Sequence, residues 1–199
     1  FGDDVDLLRM DEAVSGAYHL IAGRVRSWRQ LSDGRALTLA YMSEGMVAGL
    51  IACVRGDVSP TTVTTTGPVE ARLWPLATLR RLIAEDGHFA SNMLGVVANY
   101  SVVLMDKIDD GLMPVEQRLA RCMLRLANGH GDWHPKADSP DCVALNVTRQ
   151  ELADLAGSTL FTVSRILSGW ERRDLVRSTR GRVLVTDAHG VAAIADLGG

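Results

Sequence analysis

Two hydrophobic periods divide the chain. Between residues 17 and 75, apolar and polar positions mostly alternate in short runs bounded by glycine, proline and aspartate, which predicts strands. Tyr18 to Ala22 ends at Gly23, Arg24 to Arg29 keeps a period of two, and Ala36 to Tyr41 follows a turn at Ser32-Asp-Gly-Arg35. Asp33-Gly34 between two such runs predicts a hairpin. Thr61 to Thr66 is β-branched throughout, Gly67-Pro68 turns the chain, and Val69 to Trp74 alternates again. Short strands at this spacing predict an antiparallel barrel or sandwich.

Beyond Pro75 the period lengthens. Leu76, Leu79, Leu82 and Ile83 predict a helix over 76–84. Residues 89–109 contain no proline and a single glycine, Gly95, and carry two apolar lines. Met93, Val96, Tyr100, Val103 and Lys107 form a heptad seam that ends in a polar residue, and this is the expected dimer interface. Leu94, Val97, Ser101, Leu104 and Ile108 form the second line. A helix that is apolar on two faces must be covered on both. The sheet domain can cover one. The other is open to a symmetry-related copy or to the chain's own core. Asp109-Asp-Gly-Leu-Met-Pro114 ends the helix, its acid pair reading as a solvated break. Pro114 suits the first turn of a helix over Val115 to Ala127, with Val115, Leu119, Cys122, Met123 and Leu126 on one face. Residues 129–140 read as loop.

The most specific pattern runs from 148 to 168. Thr148 and Glu151 form a capping box at a helix start, and Leu152 and Leu155 give that helix an inner face. Ala153 is small enough for a second helix to cross closely. Gly157 can take the positive φ of a tight turn, and Ser158 or Thr159 can cap the next helix. Val163, Ile166, Leu167 and Trp170 then point inward at helical steps. This spacing predicts a helix-turn-helix. Leu175 to Val185 follows as strand, turn, strand, with Arg180-Gly-Arg182 at the tip of a wing. From Arg149 to Arg182 there are seven arginines against four acidic residues, a local basic patch suited to phosphates. Leu160, Phe161, Ser164 and Arg165 are the outward positions of the second helix, expected to face base edges in a major groove. Leu160 and Phe161 can meet thymine methyls or, alternatively, pack inside the domain. Thr148, Arg149, Gln150, Thr159, Arg180 and Arg182 are the expected backbone contacts.

Composition narrows the remaining classes. The 199 residues carry a net charge of −3 and are 47% hydrophobic, enough for one large core or two small ones. Contact with nucleic acid must therefore come from a local patch. Cys53, Cys122 and Cys142 fit no metal spacing or closed disulfide set and are expected to be reduced thiols. No apolar run approaches the roughly 20 residues of a membrane helix. The expected location is the cytoplasm, with no membrane partner. The first residue is Phe1 rather than methionine, so an earlier natural start is expected. No Ser/His/Asp set, P-loop or GxGxxG is present, and an enzyme is not expected.

Val147-Thr-Arg-Gln-Glu-Leu-Ala153 followed by Thr162-Val-Ser-Arg-Ile-Leu167 resembles the helix-turn-helix of the CRP/FNR family of bacterial transcription regulators. Gly45 to Gly49 and Val69 to Trp74 resemble parts of that family's sensor barrel, and 88–109 its dimerisation helix. The family's short N-terminal helices and first strand are not matched. The resemblance implies an α+β chain: an N-terminal antiparallel β-barrel of the cyclic-nucleotide-binding jelly-roll kind over 1–87, a long dimerisation helix and hinge over 88–112, and a C-terminal winged helix-turn-helix over 113–199. It implies a homodimer on near-palindromic double-stranded DNA, a signal in the barrel that reorients the DNA-binding domains, and RNA polymerase as a further partner.

The departures concern the signal. Cyclic-nucleotide-binding members carry a Gly-Glu-Leu stretch and then an Arg-Ser pair that takes the cyclic phosphate. The matching positions here are Gly49-Leu50-Ile51 and Ser59-Pro60. Both the ribose carboxylate and the phosphate guanidinium are missing, so cyclic AMP is not the expected effector. Arg55 is the nearest alternative cation. Haem could be held through His19, His88 or Cys53, whereas three scattered cysteines do not supply an iron–sulfur cluster. A small apolar or redox ligand, a haem-bound gas and no ligand all stay open. Many relatives carry arginine then glutamate where Leu160-Phe161 stands, so the DNA half-site is expected to differ.

Overall fold

The computed structural model describes residues 1–56, 58–127, 136–139, 142–179 and 181–196. Arg180, an expected backbone contact, lies outside these residues, as does most of the expected 129–140 loop. Packing divides the chain into two units, Phe1–Leu104 and Met105–Gly199. Among the described residues no helix is long and apolar enough to cross a membrane.

The first unit contains β1 (Asp6–Leu8), β2 (Gly16–Ala22), β3 (Val25–Gln30), β4 (Ala36–Met42), β5 (Val47–Ala48), helix α1 (Leu50–Arg55), β6 (Thr62–Thr65), β7 (Glu70–Pro75) and α2 (Leu76–Glu85). The strands fall into two antiparallel sheets, β1-β6-β3-β4 and β5-β2-β7, so the expected barrel is built as a double-sheet roll. Ala17, Leu20, Val25, Met42, Ala48 and Val63 form the core with Leu79 of α2. The Asp33-Gly34 hairpin forms: Gln30 pairs with Ala36, and Gly34 takes φ +84°. Strand β6 is buried although it is mostly threonine. Its hydroxyls are satisfied: Thr64 Oγ1 donates to Asp6 Oδ1 at 2.8 Å and accepts from Trp28 Nε1 at 2.9 Å. Helix α1 was not anticipated. It has six residues, no side-chain cap, and left-handed glycines at both ends, Gly49 and Gly56.

Helix α3 (Gly87–Gly111) runs from the first unit into the second. The Asp86 carboxylate opens it, accepting the main-chain N–H groups of His88 at 2.9 Å and Phe89 at 3.0 Å. The second unit continues with α4 (Val115–Ala127), β8 (Lys136–Ser139), β9 (Cys142–Leu145), α5 (Arg149–Leu155), α6 (Leu160–Glu171), β10 (Val176–Thr179), β11 (Arg182–Val185) and α7 (Ala188–Ala195). Its sheet order is β10-β11-β9-β8. Leu119, Met123, Leu145, Leu152, Leu167 and Trp170 are its largest buried side chains. Two expectations need correction here. Residues 136–139 are strand rather than loop, because they pair with β9. Asp110 is not a solvated break: it is buried, lies 3.0 Å from Arg121 Nε, and accepts a hydrogen bond from Arg125 of α4. Both arginines compensate a carboxylate that would otherwise be costly to bury.

Candidate DNA-binding face and sensor cavity

The helix-turn-helix follows its sequence closely. Thr148 Oγ1 accepts the Glu151 N–H at 3.1 Å, and the Glu151 carboxylate accepts the Thr148 N–H at 2.7 Å, which completes the capping box. Gly157 turns with φ +59°. Thr159 then caps α6, its hydroxyl accepting the Thr162 N–H at 3.2 Å. Val163, Leu167 and Trp170 of α6 are fully buried, while Ile166 is half-buried. The opposite side is open. Phe161 is 77% exposed, Leu160 is 45% exposed, Arg165 is exposed and Ser164 half-buried. The alternative of Leu160 and Phe161 packing inside the domain is therefore not realised.

Two cationic side chains hold the turn between the two helices, and a third ties the helices together. Arg118 of α4 donates from Nε to Ala156 O at 2.9 Å and from its terminal nitrogens to Gly157 O at 3.2 Å and Met113 O at 3.1 Å. Lys107 Nζ donates to Leu155 O at 3.1 Å. Arg149 pairs with Glu171 at 3.0 Å and so ties α5 to the end of α6. Hydrogen bonding from Ser178 first, and the charge of Arg149 after it, hold the Glu171 carboxyl below the usual carboxylate range. Gln150 is exposed and donates to Asp154 at 2.8 Å. The wing forms as expected: Thr179 pairs with Arg182, Gly181 takes φ +76°, and Arg182 is exposed. Arg118 and Lys107 were not foreseen in this role; main-chain acceptors leave no sequence signal.

Within the first unit, a cavity of about 360 Å³ opens between β3, β4, α1, β6 and α3. Gly49, Leu50, Ile51, Ser59 and Pro60, the positions that match the family's nucleotide contacts, all line it. The Ser59 hydroxyl is buried and donates to Thr61 O at 2.7 Å. The three alternative haem ligands stand in different settings. His19 lies against the Trp74 ring at 5.3 Å between centroids, His88 is exposed in the first turn of α3, and Cys53 is buried in α1. Burial pushes the Cys53 thiol up, with Arg80 opposing, which disfavours a thiolate ligand.

Three of the five expected seam residues meet their own chain, whereas Val96 is 36% exposed. Tyr100 and Val103 line the cavity, and Lys107 is bonded to Leu155. The most open apolar side chains of α3 are Leu94 at 69%, Met105 at 64% and Ile108 at 70% exposure, while Leu104 of the second line also lines the cavity.

A double-sheet domain followed by a winged helix-turn-helix is the build of a DNA-binding transcription regulator. Residues 4–86 match the cyclic nucleotide-binding domain family and residues 117–194 the Crp-like helix-turn-helix domain family. A CRP-like cAMP-activated global transcriptional regulator of Mycobacterium tuberculosis is 26% identical over 176 residues, 88% of this chain and 77% of that protein. The cAMP-activated global transcriptional regulator CRP of Pasteurella multocida is 25% identical over 182 residues, 90% and 84% of the two chains. The solved structure of FixK2 from Bradyrhizobium japonicum shares the fold with a TM-score of 0.85 at 22% identity, covering 100% of this chain and 96% of that one. The chain belongs to the CRP/FNR family of transcription regulators and carries its helix-turn-helix DNA-binding domain.

Proposed function

We propose that the protein acts as a homodimer on near-palindromic DNA, reading bases with α6 and answering, through its first unit, to a signal other than cyclic AMP. The observation that carries the DNA reading is the face of α6, where Leu160, Phe161 and Arg165 are exposed while Val163, Leu167 and Trp170 anchor the other side. Two apolar side chains left open beside an arginine suit thymine methyls next to a guanine. Arg182 on the wing, and Thr148, Gln150 and Thr159 at the helix starts, are then the backbone contacts. Arg149, already paired with Glu171, contributes to them less.

Binding-site selection on wild type, Arg165→Ala and Arg182→Ala tests this reading. Loss of an arginine–guanine contact should cost about 1–3 kcal/mol and relax one base pair per half-site. Arg182→Ala should weaken all sequences alike and lessen the salt dependence. If Arg165→Ala keeps the sequence preference and Arg182→Ala loses it, α6 does not read the bases.

The dimer follows from α3. At about 100° per residue, Leu94, Ala98, Ser101, Met105 and Ile108 fall within about 40° of one line along the helix. This narrow stripe repeats by heptads, as a two-stranded interface requires. It is a second candidate for the seam beside the 93–107 line, whose Val96 is also exposed. For the signal, Ser59-Pro60 stand where the family's Arg-Ser pair would take a cyclic phosphate, and the Ser59 hydroxyl is already bonded to the main chain, so that pair of groups is not present here. Calorimetric titration with cyclic AMP and cyclic GMP should show no binding, and micromolar affinity would refute the proposal.

A further inference from the structure

We propose that the cavity of the first unit takes an amphipathic monocarboxylate, an apolar body ending in one carboxylate. The proposal rests on the reading of that unit as a sensor for something other than a cyclic nucleotide. The cavity, about 360 Å³, lies within the size range of small-molecule sites. Its walls are largely aliphatic: Leu39 and Met42 from β4, Leu50 and Ile51 from α1, Val63 from β6 and Val103 from α3 all face it. Such walls favour a hydrocarbon or aryl body and leave the sugar hydroxyls and base edges of a nucleotide without partners.

The polar groups of the lining are mostly committed to the protein. Ser27 Oγ donates to Thr61 Oγ1 at 3.1 Å, and Ser59 Oγ to Thr61 O at 2.7 Å. Arg29 differs. It lines the cavity at the exposed end and makes no ion pair or side-chain hydrogen bond among the described residues, whereas Arg55, the other arginine of the lining, has an interaction within the protein. Strand register fixes where it stands. Ser27 pairs with Ala40 on one side and Val63 on the other, whereas Arg29 pairs only with Leu37, beyond the point where β6 stops opposite Trp28. The cation therefore marks one end of the cavity, and the aliphatic walls extend from it toward α1 and α3. One unpartnered guanidinium at the end of an apolar chamber matches one carboxylate, which it can bind through two parallel hydrogen bonds.

The test is calorimetric titration of the full chain with decanoate, 4-phenylbutyrate, decanol and cyclic AMP. It uses wild type, Arg29→Gln and the cavity-filling Ala40→Phe. At least one of the two acids should bind, with Arg29→Gln weakening it about ten- to a hundredfold and Ala40→Phe abolishing it. Decanol should bind more weakly than decanoate and be indifferent to Arg29→Gln. The inference is overturned if neither acid binds, or if decanol binds as well as decanoate and Arg29→Gln changes nothing. Micromolar binding of cyclic AMP would instead bring down the broader reading of the sensor, and this proposal with it. Arg29 is exposed, so its substitution leaves the fold intact.

Discussion

Arg118→Met should unlock the helix-turn-helix. The guanidinium of Arg118 reaches from α4 to the carbonyls of Ala156 and Gly157, at 2.9 Å and 3.2 Å, where α5 ends and the turn begins. It also takes the Met113 carbonyl at 3.1 Å, just before α4. One side chain thus fixes the turn to the helix behind it. Methionine keeps the apolar stem and removes all three donors. The expected loss of stability is about 2–4 kcal/mol, since hydrogen bonds from a charged donor are lost and carbonyls are left without partners. The effect on DNA should be larger for a specific site than for a random one, because base contacts from α6 depend on the turn and phosphate contacts depend on it less. Arg118→Lys should recover part of the stability, since one ammonium cannot serve three separated carbonyls as a guanidinium does. Thermal unfolding and fluorescence anisotropy on specific and random duplexes measure both effects. Unchanged stability and unchanged discrimination in Arg118→Met would show that Gly157 and the buried Leu152 and Val163 hold the turn by themselves.

The turn itself was legible because its determinants are local. Thr148 and Glu151 are three residues apart, Gly157 supplies its own φ, and Val163, Leu167 and Trp170 repeat at helical steps. The Asp33-Gly34 hairpin was legible for the same reason. Helix α1 was not, since its six residues are too few for a period and no side chain caps it. Helix α7 did carry a sign: Asp187 accepts the Gly190 N–H at 2.8 Å, the spacing of an N-cap. The two lines of α3 show a different limit. Both are apolar and both keep heptad spacing, so periodicity states that two faces are covered and leaves open which cover belongs to which. Tertiary contacts bear on that choice: Tyr100 and Val103 line the cavity and Lys107 bonds to Leu155, but Leu104 of the second line reaches the cavity as well. Asp110 fails to show for a like reason: its arginines stand 11 and 15 residues later, about two and three turns into another helix.

Met105→Asp combined with Ile108→Asp should convert the protein to monomers. Both side chains are open along the outer line of α3, at 64% and 70% exposure, so a carboxylate there costs an isolated chain little. In a two-fold seam the cost is different. Each carboxylate would face its counterpart across an apolar interface without a cation to compensate it, and removal of such charges from water is strongly unfavourable. The monomer should keep the thermal stability of each domain. It should also lose DNA affinity about 10²- to 10⁴-fold, the avidity that two linked half-site contacts supply. Asn99→Asp is the matched control, exposed on the same helix but away from the line, and it should stay dimeric with wild-type DNA affinity. Light scattering reads the mass and anisotropy on a two-half-site duplex reads the affinity. A double variant that remains dimeric, with Asn99→Asp unchanged, would place the seam elsewhere on the molecule. A double variant that becomes monomeric yet binds the full site as tightly as wild type would show that one copy suffices for recognition, and the near-palindrome would lose its physical basis.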